Sequence, residues 1–349
     1  MLNNFRFLTS GESHGKCLNG IIDGIPAGFE IDLDFINSEL KRRQGGLGRG
    51  ARMKIETDKV EIKSGVRFGI TTGAPICIEV KNKDFENWQK IMSVEKLDAD
   101  ELDDTEKAFT KPRPGHADFA GSIKYDLQDL RDVLERSSAR KTAIDVAIGA
   151  IAKQILKKFN ITCSSSIIKI GNETEDEKIK EKIEFACEQG DTLGGKFEVV
   201  FLNLPIGLGS HVQWDRKLDG VIAQAVMSIP AIKSVEIGMG VEVADVFGSE
   251  MHDEIYSDNG QYFRKTNNAG GIEGGMTNGE SLVVKAAMKP IPTMKKPLST
   301  VDFKDKSQAE AHFERSDVCA VSSCSVVAES MIACVLLDAF FDKFGKDNI

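Results

Sequence analysis

Paired cysteines are what this sequence most plainly lacks. It has seven cysteines, an odd number, and none sits in a Cys-x-x-Cys pair, which argues against a disulfide framework and a zinc knuckle and fits a reducing cytoplasm. Aromatic residues are scarce, 7% of the chain with two tryptophans and three tyrosines, so a stacking platform for nucleic acid is not expected. A formal net charge of -9 sets the molecule as a whole against polyanions. The N-terminus lacks a signal peptide's long apolar region, and no segment reads as apolar for long enough to cross a bilayer. A soluble, cytosolic protein is expected.

Familiar nucleotide and metal motifs are missing too. Residues 270–275 read GGIEGG, and Gly238-Met239-Gly240 is followed by valine, so neither stretch has the GxGxxG order of a dinucleotide fingerprint. A basic loop contains glycines and Lys54 but lacks the GK[ST] ending of a P-loop, which removes support for nucleotide triphosphate hydrolysis. Five dispersed histidines without HExxH spacing predict no metal site.

What is present suits a small anionic ligand. Apolar residues make up 41% of 349 positions, enough for a sizeable core, and nothing marks a boundary, so a single domain over 1–349 is expected. Between Lys41 and Lys54 stand Lys41, Arg42, Arg43, Arg49, Arg52 and Lys54 with no acid among them. The acidic run from Glu95 to Glu106 reads as a solvated loop.

Apolar runs at 5–8 and 18–25 flank Thr9-Ser10-Gly11-Glu12-Ser13-His14-Gly15 and predict strand, polar turn, strand. Asp32 is a suitable N-cap for a helix carrying Leu33, Ile36 and Leu40 and ending at Gly45-Gly46. Strands are expected at 60–66, 76–80, 161–170, 196–204, 232–237 and 281–288, and helices at 127–134, 173–188, 215–227 and 325–344. Residues 267–275 are too glycine-rich for either. Arg136 to Thr142 opens a further helix whose apolar face is Ala143, Val146, Ala147, Ala150, Ile151 and Ile155. Ser137 and Ser138 at its start fit two readings, a plain cap or an anion site. Taken alone, this alternation suggests an open α/β sheet.

His116 lies in Arg113-Pro114-Gly115-His116-Ala117-Asp118, where proline and glycine predict a turn. One such histidine is more simply a turn cap. Two in glycine-framed loops, His14 and His116, surrounded by Arg43, Arg49, Arg52, Arg113, Arg136 and Arg140, point instead to proton transfer on an anionic ligand. Imidazole titrates near about 6.5, and general acid catalysis supplies about 10²- to 10⁴-fold in rate. That helps a phosphate leave but would not break an unactivated C–H bond, so a reaction of that kind needs a cofactor.

Together, GESHG (11–15), RRQGGLGRGARMK (42–54), RPGHAD (113–118), RSSARKTA (136–143), NNAGGIEGG (267–275), KPIPT (289–293) and the Arg-x-Asp of Arg315 and Asp317 resemble the motifs of the chorismate synthase family, in the family's order and over nearly the whole chain. The resemblance implies a β-α-β sandwich of the α+β class, helices between two antiparallel sheets, assembled as a homotetramer. It also implies a 1,4-anti elimination of phosphate from 5-enolpyruvylshikimate 3-phosphate giving chorismate, with reduced FMN and no net redox change.

Carried over by motif, His14 would protonate the departing phosphate, and His116 would protonate the reduced flavin near N1. Asp317 with Ser13 would take the proton from N5. Arg43, Arg49, Arg52, Arg113 and Arg140 would hold substrate. Arg136, Ser137, Ser138, Ala139, Ala231, Gly274, Lys289, Pro290, Ile291, Pro292, Thr293 and Arg315 would bind FMN. Some members reduce their flavin with NADPH, for which Arg43 and Arg49 are the meeting point; otherwise an external flavin reductase is implied. The chain departs from the family pattern at Ser316 and Val318 beside Asp317, at Ser322-Ser323, and at Val133-Leu134-Glu135, where a glycine triplet is common. The rival readings are a flavin oxidoreductase with net electron transfer and a non-catalytic phosphometabolite-binding protein.

Overall fold

A computed structural model describes residues 2–49, 57–98, 108–313 and 317–347. Its frame is two four-stranded sheets. The first contains β1 (Arg6–Ser10), β2 (Cys17–Asp23), β3 (Val60–Ser64) and β4 (Ile76–Lys81) in the order β1-β2-β4-β3. The second contains β5 (Thr162–Ile170), β6 (Gly195–Leu202), β7 (Ile232–Ile237) and β8 (Leu282–Met288) in the order β5-β6-β8-β7. Every pairing in both is antiparallel. The open α/β sheet suggested by alternation alone is therefore wrong, and the α+β sandwich implied by the resemblance is right.

The strands carry the one-sided burial that such a layer needs. Leu18 and Ile22 on β2 and Ile76, Ile78 and Val80 on β4 face inward, as do Phe197, Val199 and Phe201 on β6 and Leu282, Val284 and Ala286 on β8. Between the sheets lie α1 (Leu33–Gln44), α4 (Thr142–Lys158), α6 (Leu218–Met227) and α7 (Val321–Phe344). Outside this layer are α2 (Asp118–Tyr125), α3 (Arg131–Ser137) and α5 (Asp176–Glu188). Asp32 caps α1 by accepting the Phe35 N–H at 3.0 Å, as expected of an N-cap aspartate.

The two central helices differ from the sequence reading in instructive ways. In α4 the predicted apolar face is buried, but so are Ile144, Ile148 and Ala152 on its other sides, because a helix between a sheet and other helices has no solvent face. The helix predicted at 325–344 begins earlier, at Val321, and spans 24 residues. By length and composition it could cross a membrane, contrary to the reading that no segment could, but 89% of its most apolar stretch is buried inside the fold. It is a core helix.

Smaller departures have local causes. The strand expected at 60–66 stops at Ser64, because Gly65 takes a φ of 81° and opens a small hairpin, Val66–Arg67 with Ile70–Thr71. The helix expected at 127–134 is displaced. One helix starts at Asp118 and ends at Asp126, which adopts a left-handed φ of 54°, and the next starts at Arg131. The glycine-rich stretch 267–275 holds half of a two-residue ladder, Ile272–Glu273 paired with Met276–Thr277.

Candidate active site

His14 sits in the turn between β1 and β2, and two side chains fix that turn from outside. Asn82, just after β4, donates through Nδ2 to the carbonyls of Gly15 at 2.6 Å and Glu12 at 3.1 Å. Glu135, near the end of α3, accepts the Ser13 N–H on its own carbonyl at 3.1 Å and the His14 N–H on Oε2 at 2.8 Å. The same carboxylate reaches the ring, with Oε1 2.9 Å from His14 Nδ1. Burial works against the charge on Glu135, but the bonds from the His14 ring and backbone, with Arg131 nearby, outweigh it and hold the carboxyl below its ordinary value.

His116 is built in the same way. Pro114 and Gly115 form a turn closed by the His116 N–H donating to the Arg113 carbonyl at 3.1 Å, with Gly115 at a φ of 82° that favours glycine. The turn feeds α2, whose first residue, Asp118, is fully buried. Asp118 accepts His116 Nδ1 on one oxygen and Arg113 Nε on the other at 2.9 Å. Burial again opposes the charge, and the His116 and Arg113 hydrogen bonds override it, holding the carboxyl well below the carboxylate range. Arg113 also donates to Thr293 at 3.0 Å, and Lys289 to the Gly115 carbonyl, so the histidine turn is tied to the segment after β8.

Both histidines line one cavity of about 540 Å³. Around it stand Ser13, Arg43, Arg49, Arg113, Arg140, Lys141, Lys289 and Asp317, with Ser137, Ser138, Ala139, Ala231, Ile291, Pro292 and Thr293. Among the described residues lining it, Asp317 is the one acid and six are arginine or lysine. Its walls come from both sheets' ends and the helices between them, so residues far apart in sequence converge.

The basic side chains are held in place by acids and carbonyls. Arg140 donates to Asp58 at 2.7 Å and Asn82 at 2.9 Å; Arg43 lies 3.7 Å from the same Asp58 carboxylate and donates to Thr142 at 2.9 Å. Arg49 pairs with Asp317 at 2.6 Å. Ser138 donates to the Ser13 hydroxyl at 3.2 Å and accepts the Arg140 N–H at 3.3 Å. It thus caps the short turn Ala139–Lys141 that leads into α4, while Ser137 is the last residue of α3. Ala231 takes a φ of 72°, and its carbonyl accepts the Lys289 N–H at 2.9 Å. Burial pushes the Cys324 thiol up to about 12, so it serves the cavity as an apolar wall.

Some residues named from sequence lie elsewhere. Arg136 donates to the Thr9 carbonyl at 2.8 Å and the Gly11 carbonyl at 3.1 Å, bracing the His14 turn from outside the cavity lining. Pro290 is exposed, and Gly274 sits in the tight turn before Met276, also outside the lining. Arg52 and Arg315 fall outside the described residues. Sequence reasoning gave no role to Glu135, noted only as a departure from a glycine pattern, to Asp118, quoted inside a motif, or to Asp58, which carried no signal. Trp88 stacks on His14 with centroids 3.9 Å apart; its rarity in the chain was the available clue.

Nearly the whole chain, from residue 5 to residue 341, matches the sequence profile of chorismate synthase. The chain belongs to the chorismate synthase family. The chorismate synthase of Thermoanaerobacter pseudethanolicus is 52% identical over 345 residues, covering 99% of this chain and 95% of the relative. That of Aquifex aeolicus is 49% identical, with the same coverage. A crystal structure of chorismate synthase superposes with a TM-score of 0.79 at 40% identity, covering 99% of this chain and 94% of that one. The enzyme is accordingly a carbon–oxygen lyase that eliminates phosphate from 5-enolpyruvylshikimate 3-phosphate to give chorismate, the last step of the shikimate pathway. Chorismate synthases use reduced FMN.

Proposed function

We propose that the elimination takes place in the cavity shared by His14 and His116, and that the observation carrying this reading is their pairing with buried carboxylates, Glu135 and Asp118. His14 passes a proton to the departing phosphate, and His116 would hold a proton for N1 of a bound reduced flavin. Asp317, with Ser13, would accept the proton that a bound reduced flavin would present at N5. Arg43, Arg49, Arg52, Arg113 and Arg140 grip the substrate's phosphate and carboxylates, which planar guanidinium groups suit.

The residues present fit a flavin phosphate. Lys289, bonded to the Gly115 carbonyl, and Thr293 stand together in the cavity lining, and Leu134, Ala231, Met288, Ile291 and Val327 give the cavity apolar walls for a ring system. When bound, reduced FMN supplies electron density to the allylic system as the C–O bond breaks. Ser137, Ser138, Ala139, Ala231, Lys289, Ile291, Pro292 and Thr293, which line the cavity, are proposed to hold it together with Arg315.

NADPH is proposed as the reductant, approaching Arg43 and Arg49; an external flavin reductase is the alternative. A homotetramer is supported by the outer face of the first sheet, where Leu8 and Ile21 are cross-strand partners and both exposed. Free thiols at all seven cysteines fit work in the cytoplasm.

The roles are tested with His14→Ala and His116→Ala, assayed anaerobically with chemically reduced FMN. Both are expected to lose turnover while binding FMN and substrate. Wild-type turnover in either would remove that histidine from the proton path. Loss of binding with unchanged turnover at saturation would favour ligand recognition in its place.

A further inference from the structure

His14 is gripped by groups to which the reaction assigns no step. The two oxygens of Glu135 lie 2.9 and 3.1 Å from ring Nδ1, and Oε2 also accepts the His14 backbone N–H at 2.8 Å. The carboxylate's side chain is 1% exposed. On one face of the ring lies Trp88, inclined by 23°, and the Trp88 indole N–H donates to Asp84 at 3.1 Å. Arg131, one turn before Glu135 on α3, is 3.5 Å from Oε1 and 5.3 Å from the Trp88 ring centroid.

We infer that Glu135 is a positioning residue: it keeps a proton on His14 Nδ1 and so commits Nε2, the other ring nitrogen, to proton transfer in the cavity. The inference rests on the reading of His14 as the acid that protonates the departing phosphate. Two donors, the backbone N–H and Nδ1–H, meet one side chain that offers only acceptors. An ionised carboxylate satisfies both. When Nε2 gives up its proton, the neutral ring that remains is the tautomer Glu135 already holds, so no rearrangement follows the step. Trp88, stacked on one face of the ring, restrains its tilt.

An amide does this less well. In Glu135→Gln the fixed backbone N–H claims the single oxygen, and the amide NH₂ then faces Nδ1. The nearer contact on Nδ1 is then a donor, which favours the neutral ring with its proton on Nε2, and the cationic ring that the acid step uses keeps only the shared oxygen, 3.1 Å away, for its Nδ1–H. Shape and volume are almost unchanged, so the substitution isolates the hydrogen-bond pattern.

The test is a double-mutant cycle of His14→Ala and Glu135→Gln with the enzyme, pre-reduced FMN and 5-enolpyruvylshikimate 3-phosphate, together with ¹⁵N NMR of histidine-labelled wild-type enzyme. Glu135→Gln is expected to lower kcat within the range of about 10²- to 10⁴-fold open to general acid catalysis, with KM for substrate and FMN affinity unchanged. The double variant is expected to fall no further than His14→Ala alone. In wild type, Nδ1 of His14 should be protonated at every pH at which the enzyme turns over. An unprotonated Nδ1 in wild type overturns the inference whether or not the variant folds. So does an unchanged kcat in Glu135→Gln beside an impaired His14→Ala, or a double variant worse than His14→Ala by the full Glu135→Gln factor; these outcomes leave the acid role of His14 standing. An active His14→Ala overturns both.

Discussion

Arg49 and Asp317 form a 2.6 Å ion pair inside the cavity, although one is proposed to grip an anion and the other to relay a proton. They are 268 positions apart in sequence, and the pairing brings a cation to the carboxylate proposed to take up the proton. Arg49→Ala is expected to raise KM for the substrate by about 10- to 100-fold, the value of a charged hydrogen bond at roughly 1.5–3 kcal/mol. Asp317→Asn should lower kcat with little change in KM. Steady-state kinetics with reduced FMN separate the two, and a KM effect from both variants would make Asp317 part of the binding set alone.

His116 and Arg113 share the buried Asp118 carboxylate, so Asp118→Asn disturbs both. It should cost more turnover than Arg113→Lys, which keeps a cation beside an intact His116–Asp118 pair. FMN titration alongside turnover checks this, and His116→Ala should retain flavin affinity better than it retains turnover.

Deep in the sandwich, Glu329 meets Lys153 at 2.5 Å and Arg42 at 2.8 Å. Burial alone would raise the Glu329 carboxyl, but the Arg42 hydrogen bond and Lys153 outweigh it and hold it at about 2. A carboxyl lowered on folding contributes its stability in full above the unfolded value of about 4.3 and loses it as the pH falls towards the folded value. Glu329→Gln is expected to cost about 1–3 kcal/mol at neutral pH, because the buried Lys153 ammonium loses one of its two carboxylate partners and keeps only Glu39, at 2.6 Å. In urea melts, the gap between variant and wild type should narrow as the pH drops from 5 towards 2; a gap independent of pH would rule out the charge as its source.

Where α4 crosses α7, a Cβ on Gly149 would lie 2.3 Å from the Ser330 Cβ and 2.7 Å from the Ser330 carbonyl oxygen. Alanine gains about 1 kcal/mol in helix propensity over glycine. The clash involves main chain that cannot swing away, and overpacking of this kind costs about 1–3 kcal/mol or more. Gly149→Ala should therefore lower the thermal midpoint, and a raised midpoint would mean that the helices can separate freely at this point.

The legible parts of the sequence were those governed by local chemistry. The strand at 281–288, now seen to bury Leu282, Val284, Ala286 and Met288, and the Asp32 cap each appear as expected, because neighbouring residues decide them. Pairing was not legible. β2 lies beside β4 across more than fifty residues of chain, so the antiparallel sandwich came only from the resemblance. The site divided along the same line. His14 and His116 stand out through glycine-framed turns, whereas Glu135 and Asp58 matter through partners 121 and 82 residues away, and nothing in their own surroundings announces that.

The most direct measurement is an anaerobic assay of the purified enzyme with 5-enolpyruvylshikimate 3-phosphate and chemically reduced FMN, following the absorbance of chorismate, run beside NADPH with oxidised FMN as the sole reductant. Chorismate is predicted to form with pre-reduced flavin without stoichiometric flavin oxidation, and its appearance with NADPH alone would assign the flavin reductase activity to this chain. Folded, FMN-bound protein that forms no chorismate under either condition would contradict the account.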